Sequence, residues 1–102
     1  MALLSKTQES YYNISQSFRG NGSTKVFTLT TAYFSTLPTA ETQFDVFIDG
    51  TQISKSNYSY SSPNLTFAAT DYNSDVQESD GAPKNGLTIL VKQTVFQLLV
   101  MY

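Results

Sequence analysis

The stretch from Gln43 to Ile53 constrains this chain most: Phe44, Val46, Phe47 and Ile48 run into Asp49-Gly50, and Thr51, Gln52 and Ile53 run out of it. Asp-Gly between apolar runs is the strongest short-range hairpin signal. A type I′ turn needs positive φ at both central residues, which Gly supplies without steric cost and Asp tolerates. Successive strand residues point to opposite faces, so Phe44, Val46 and Ile48 share one face and Phe47 takes the other. One face belongs to a core. Phe47 requires cover of its own, from another layer of the domain or from a neighbouring molecule.

At 102 residues the chain is long enough for one core and too short for two. Seven Phe and seven Tyr without Trp, in a background rich in Ser and Thr, favour pleated sheets over helices. The net charge is -2, and Lys6, Arg19, Lys25, Lys55, Lys84 and Lys92 are scattered, which argues against the clustered positive footprint of a nucleic-acid binder. The absence of Cys and His removes disulfides, thiol chemistry, most zinc sites and His-based triads. No cofactor is implied. Met1 to Lys6 lacks the apolar run of a signal peptide, and nothing approaches the roughly 20 apolar residues of a membrane helix. The expectation is a chain made and assembled in the cytoplasm, without a membrane partner. Four Asn-x-Ser/Thr triplets, at Asn13, Asn21, Asn57 and Asn64, read as by-products of composition.

Residues 1–17 show neither alternation nor helical periodicity and read as an N-terminal arm or short first strand, with Leu3, Leu4, Tyr11 and Tyr12 as its bulky residues. Residues 18–93 read as the folded domain. Within it, Gly20-Asn21-Gly22 turns into a strand over Lys25–Thr30 with Phe27 and Leu29 inward; the Gly-Lys-Ser/Thr of a phosphate-binding loop is missing. Ala32 to Thr42 is a loop with one helical turn around Tyr33-Phe34, and Tyr33, Phe34 and Leu37 are expected to close one end of the core. Tyr58 and Tyr60 alternate with Ser in a half-buried strand that turns at Ser62-Pro63-Asn64 and returns through Leu65 and Phe67. From Asp71 to Gly86 the chain is irregular and holds Asp71, Asp75, Glu78 and Asp80. The Asp71-x-Asn73-x-Asp75 spacing resembles the start of a calcium loop, but Val76 and Ala82 stand where such a loop needs Gly and Glu, so a solvated contact loop is expected and no metal site.

Residues 94–102 form an apolar tail: Val95, Phe96, Leu98, Leu99, Val100, Met101 and Tyr102 leave no polar face. Burying such side chains contributes about 1.5–3 kcal/mol each. Two readings compete: a central strand covered on both faces within the domain, or a segment that adds to a neighbouring subunit's sheet or groove.

Taken in order, Gly20 to Thr24, Phe27-Thr28-Leu29, Val46 to Gly50, Tyr58 to Tyr60, Leu65-Thr66-Phe67, Ala82-Pro83 and Gly86 to Val91 resemble a small β-sandwich module of tailed-bacteriophage virions, found in tail-fibre and other tail-associated proteins. The match covers about Phe18 to Lys92. The resemblance implies an antiparallel, all-β sandwich acting as a non-enzymatic part of a phage particle. The acidic stretch before Ala82, the lack of a fibre shaft after the module and the apolar tail shift the expectation from a host-binding tip to an adaptor or coat-associated piece.

The expected function is therefore a virion structural protein, a tail, neck or fibre-attachment component, assembled as a homo-oligomer with other virion proteins. Its expected interface is Leu3, Leu4, Tyr11, Tyr12, Val95, Phe96, Leu98, Leu99, Val100, Met101 and Tyr102. A capsid decoration protein is the second reading. A carbohydrate- or cell-surface-binding module, with Tyr58, Tyr60 and Tyr72 as a stacking platform, is the third. Paired carboxylates such as Asp45 and Asp49 could form a glycosidase couple, but Asp49 already has a turn role and Asp45 sits mid-strand in solvent; no enzymatic activity is expected.

Overall fold

A computed structural model describes the backbone of residues 6–101 and the side chains of residues 14–94. Among the described residues it is all-β, with seven strands: β1 (Lys6–Arg19), β2 (Val26–Thr28), β3 (Asp45–Ile48), β4 (Thr51–Gln52), β5 (Tyr58–Ser61), β6 (Asn64–Phe67) and β7 (Thr88–Met101). A four-stranded antiparallel sheet has the order β1-β7-β3-β4, and a three-stranded antiparallel sheet the order β2-β6-β5. Together they form the expected small β-sandwich.

The Asp49-Gly50 turn has φ of 51° and 81°, positive at both central residues, and joins β3 to β4 with Ile48 opposite Thr51. Phe44, Val46 and Ile48 are buried on the inner face, as their spacing predicts. The β5–β6 hairpin closes with Ser61 opposite Asn64 across a cis Ser62–Pro63 bond.

The core is aromatic and spans both sheets. Phe18 of β1 packs against Phe27 of β2 with ring centroids 5.2 Å apart, and Phe44 meets Tyr60 edge-on at 5.1 Å. Phe67 takes Phe27 and Tyr58 edge-to-face at 5.8 and 6.1 Å, geometries that the ring quadrupole favours. Gln16 is buried on the inner face of β1 and ties the two layers together: its Nε2 donates to the Thr28 carbonyl at 3.5 Å and its Oε1 accepts the Thr30 N–H at 3.0 Å.

The loop after β2 departs from expectation in one respect. Phe34 is fully buried and Leu37 packs against the core, but Tyr33 is 58 % exposed and closes nothing. Tyr33 and Phe34 both donate their N–H to the Thr30 carbonyl, so the single turn between them sends one ring inward and the other out.

The arm and the tail are the largest surprise. They pair with each other: β1 and β7 are 14 residues each and run antiparallel from Arg19 opposite Thr88 to Lys6 opposite Met101. β3 covers the other side of β7 only from Ile89 to Lys92. Beyond that, the two terminal strands continue as a two-stranded ribbon, and the molecule measures 65 × 23 × 22 Å. A globule of this length has a radius of gyration near 13 Å; the value here is 17.1 Å, because the ribbon extends past the sandwich.

Candidate functional site

Three places concentrate side chains or backbone groups that the sandwich itself does not use. The first is the ribbon. The register sets Tyr11 opposite Phe96, Tyr12 opposite Val95, Glu9 opposite Leu98, Gln8 opposite Leu99, Thr7 opposite Val100 and Lys6 opposite Met101. Most of the expected interface residues thus fall on one structural element, although the sequence separates them by more than eighty positions. Leu3, Leu4 and Tyr102 lie outside the described residues. Among the described residues, β1 is the only strand that pairs with β7 from Val95 onward, so one backbone edge of each ribbon strand has no strand beside it.

The second place is the outer face of the four-stranded sheet. Pairing aligns Ser17, Leu90, Phe47 and Gln52 across β1, β7, β3 and β4. The three-stranded sheet packs on the opposite face, and Phe47 and Leu90 stay half-buried beside each other. They floor a depression of about 470 Å³ rimmed by Ser17, Asp49, Thr88 and Lys92. Phe47, which needed cover of its own, has Leu90 as its flank and, among the described residues, no second layer above it.

The third place is the loop from Ala68 to Pro83. Its backbone is held from below by two amide side chains that are fully buried, Asn57 and Gln77. Asn57 Nδ2 donates to the carbonyls of Ala68 and Thr70, both at 2.8 Å. Gln77 Nε2 donates to Asn57 Oδ1 and to the Gly81 carbonyl, both at 2.8 Å, and Gln77 Oε1 accepts the Asn73 N–H at 2.9 Å. Gly81 has φ of 96°, and a Cβ there would run into the Ala68 backbone. Sequence reasoning saw a solvated loop here and missed both amides, because an isolated Asn or Gln carries no pattern; its only legible sign was a long loop between two regular segments.

The acids of this loop serve local turns, face solvent or tie to neighbouring segments: Asp71 Oδ2 accepts the Ser56 hydroxyl, and Asp80 pairs with Lys25 at 3.9 Å. Asp80 Oδ1 accepts the Ala82 N–H at 3.0 Å, and Asn73 Oδ1 accepts the Asp75 N–H at 2.9 Å. Among the described residues no group of three His, Cys, Asp or Glu could hold a metal ion. Asp45 pairs with Lys55 at 3.1 Å, and the same ammonium donates to the carbonyls of Glu41 and Phe44. This pair is exposed and worth about 1 kcal/mol at most.

The proposed Tyr platform does not assemble. Tyr58 and Tyr60 are core residues, whereas Tyr72 is 40 % exposed on the loop. The hydroxyls of Tyr58 and Tyr60 are buried without a hydrogen-bond partner. Burial, reinforced by the carboxylates of Asp45 and Glu41, pushes the Tyr58 phenol up to about 12 from its ordinary value of 10.0.

Compared with family models, with curated proteins and with solved structures, the chain matches none.

Proposed function

We propose that this chain is a structural subunit of a bacteriophage particle, a tail, neck or fibre-attachment component that assembles through the β1–β7 ribbon and the adjoining outer face of its larger sheet. The ribbon is the observation that carries the assembly reading. A two-stranded ribbon is at best marginally stable alone in water. This one is apolar in sequence along β7, with six apolar residues among its last eight, and residues 94–102 contain no charge and no Pro. Natural edge strands that must stay solitary carry Lys, Pro or bulges to block further pairing. An edge without such guards suits addition to another sheet, and Phe47 with Leu90 adds an apolar patch on the sandwich itself. The placement in a phage particle rests on the ordered resemblance over Phe18 to Lys92.

Removing residues 94–102 tests the proposal. The sandwich keeps the six β1–β7 pairs from Ile14 opposite Gln93 to Arg19 opposite Thr88, so the shortened chain is expected to fold, to lose self-association in light scattering and to be absent from assembled particles. Electron microscopy of particles then places the chain: a single ring supports the tail component, and copies spread over a shell support capsid decoration. A full-length chain that stays monomeric and joins no particle component overturns the proposal.

A further inference from the structure

The loop that Asn57 and Gln77 hold carries a second surface, at the β4 end of the larger sheet, across the β-strand order from β1. There a depression of about 390 Å³ is lined by Ser54, Asp71, Tyr72, Asn73 and Ser74, with Gln52 and Ile53 at its side. Its volume lies in the range of ligand sites, about 300–1,000 Å³. Its lining does not resemble an apolar pocket: one aromatic ring and the largely buried Ile53 stand among amide, hydroxyl and carboxylate groups.

Three features narrow what such a surface can take. Asp71 is the sole charged residue in the lining, which is too little to hold a hard cation and the wrong sign for a phosphate. Tyr72, exposed beside the polar groups, offers a flat apolar face with a polar rim. The backbone is preorganised, since ordering the loop has already been achieved in the free protein by Asn57 and Gln77, and a ligand does not have to supply that ordering. Asp71 itself sits at φ of 53°, in the left-handed region, with Oδ2 fixed by the Ser56 hydroxyl at 2.6 Å. An uncharged, polyhydroxylated ring with one C–H face satisfies all three conditions.

From this arrangement we infer that the depression binds a neutral hexopyranose unit of a saccharide, with the sugar's C–H face against Tyr72 and its hydroxyls on Asp71 and Asn73. This site is separate from the assembly ribbon, and its failure would leave the assembly reading untouched.

The test is amide NMR of the full chain titrated with methyl β-glucoside, methyl β-galactoside and methyl α-mannoside, with sorbitol as an open-chain polyol. At least one pyranoside is expected to give saturable shifts at the amides of residues 52–54 and 71–74, with a dissociation constant on the order of 1 mM. Tyr72→Ala is expected to weaken it about tenfold or more, corresponding to about 1.4 kcal/mol, whereas Tyr72→Phe keeps the ring and stays within about threefold. Asp71→Asn preserves tolerance of the left-handed backbone and should weaken binding several-fold. Both positions are exposed, so the variants' spectra elsewhere should match the parent. No saturable shift with any pyranoside, equal shifts with sorbitol, or full binding by Tyr72→Ala overturns the inference.

Discussion

Gln77 Nε2 donates to Asn57 Oδ1 at 2.8 Å, and neither side chain reaches solvent. Two amides from segments twenty residues apart thereby replace water for four backbone groups and for each other. This bond couples β5, which Asn57 directly precedes, to the loop that follows β6.

Removing either partner should cost more than a typical hydrogen bond, because the groups left behind are buried and unpaired. Asn57→Ala and Gln77→Ala are each expected to lower unfolding free energy by about 2–3 kcal/mol, and the double variant by less than the sum. Urea unfolding followed by circular dichroism measures both values; additivity would show that the two amides act independently.

The Tyr58 hydroxyl has the opposite sign. It is buried without a partner, so Tyr58→Phe removes an unsatisfied group at almost constant shape and is expected to be neutral or to stabilise by about 1 kcal/mol. With the folded-state value near 12 and the unfolded near 10.0, the unfolded chain loses this proton first. The contribution is therefore fully present below pH 10 and is lost as pH rises toward 12, by about 2–3 kcal/mol at most. Denaturation midpoints across that window, in parent and Tyr58→Phe, should show the alkaline decline flattened in the variant.

Phe47 and Leu90 are neighbours on a face that the second sheet does not cover. Phe47→Ser with Leu90→Ser is expected to change monomer stability by about 1–2 kcal/mol, far less than the 3–5 kcal/mol of a buried Phe truncation such as Phe67→Ala. The same pair should reduce self-association, read by analytical ultracentrifugation. Unfolding on the scale of Phe67→Ala would mark the pair as core; unchanged association would remove this face from the assembly surface.

Local chemistry was enough to write much of the fold. Alternation placed Phe44, Val46 and Ile48 inside and Phe47 outside, and Asp49-Gly50 fixed its own turn, because strand period and positive φ are properties of a few consecutive residues. Tyr58, Tyr60, Leu65 and Phe67 were legible as a hairpin for the same reason. Tertiary structure alone decided that the arm pairs with the tail, that Tyr33 turns out while Phe34 turns in, and that Asn57 and Gln77 meet beneath the loop bearing Tyr72. Each of these depends on which distant segment arrives alongside. A strand edge or a lone amide states that it needs a hydrogen-bond partner, but only the folded chain supplies that partner's identity.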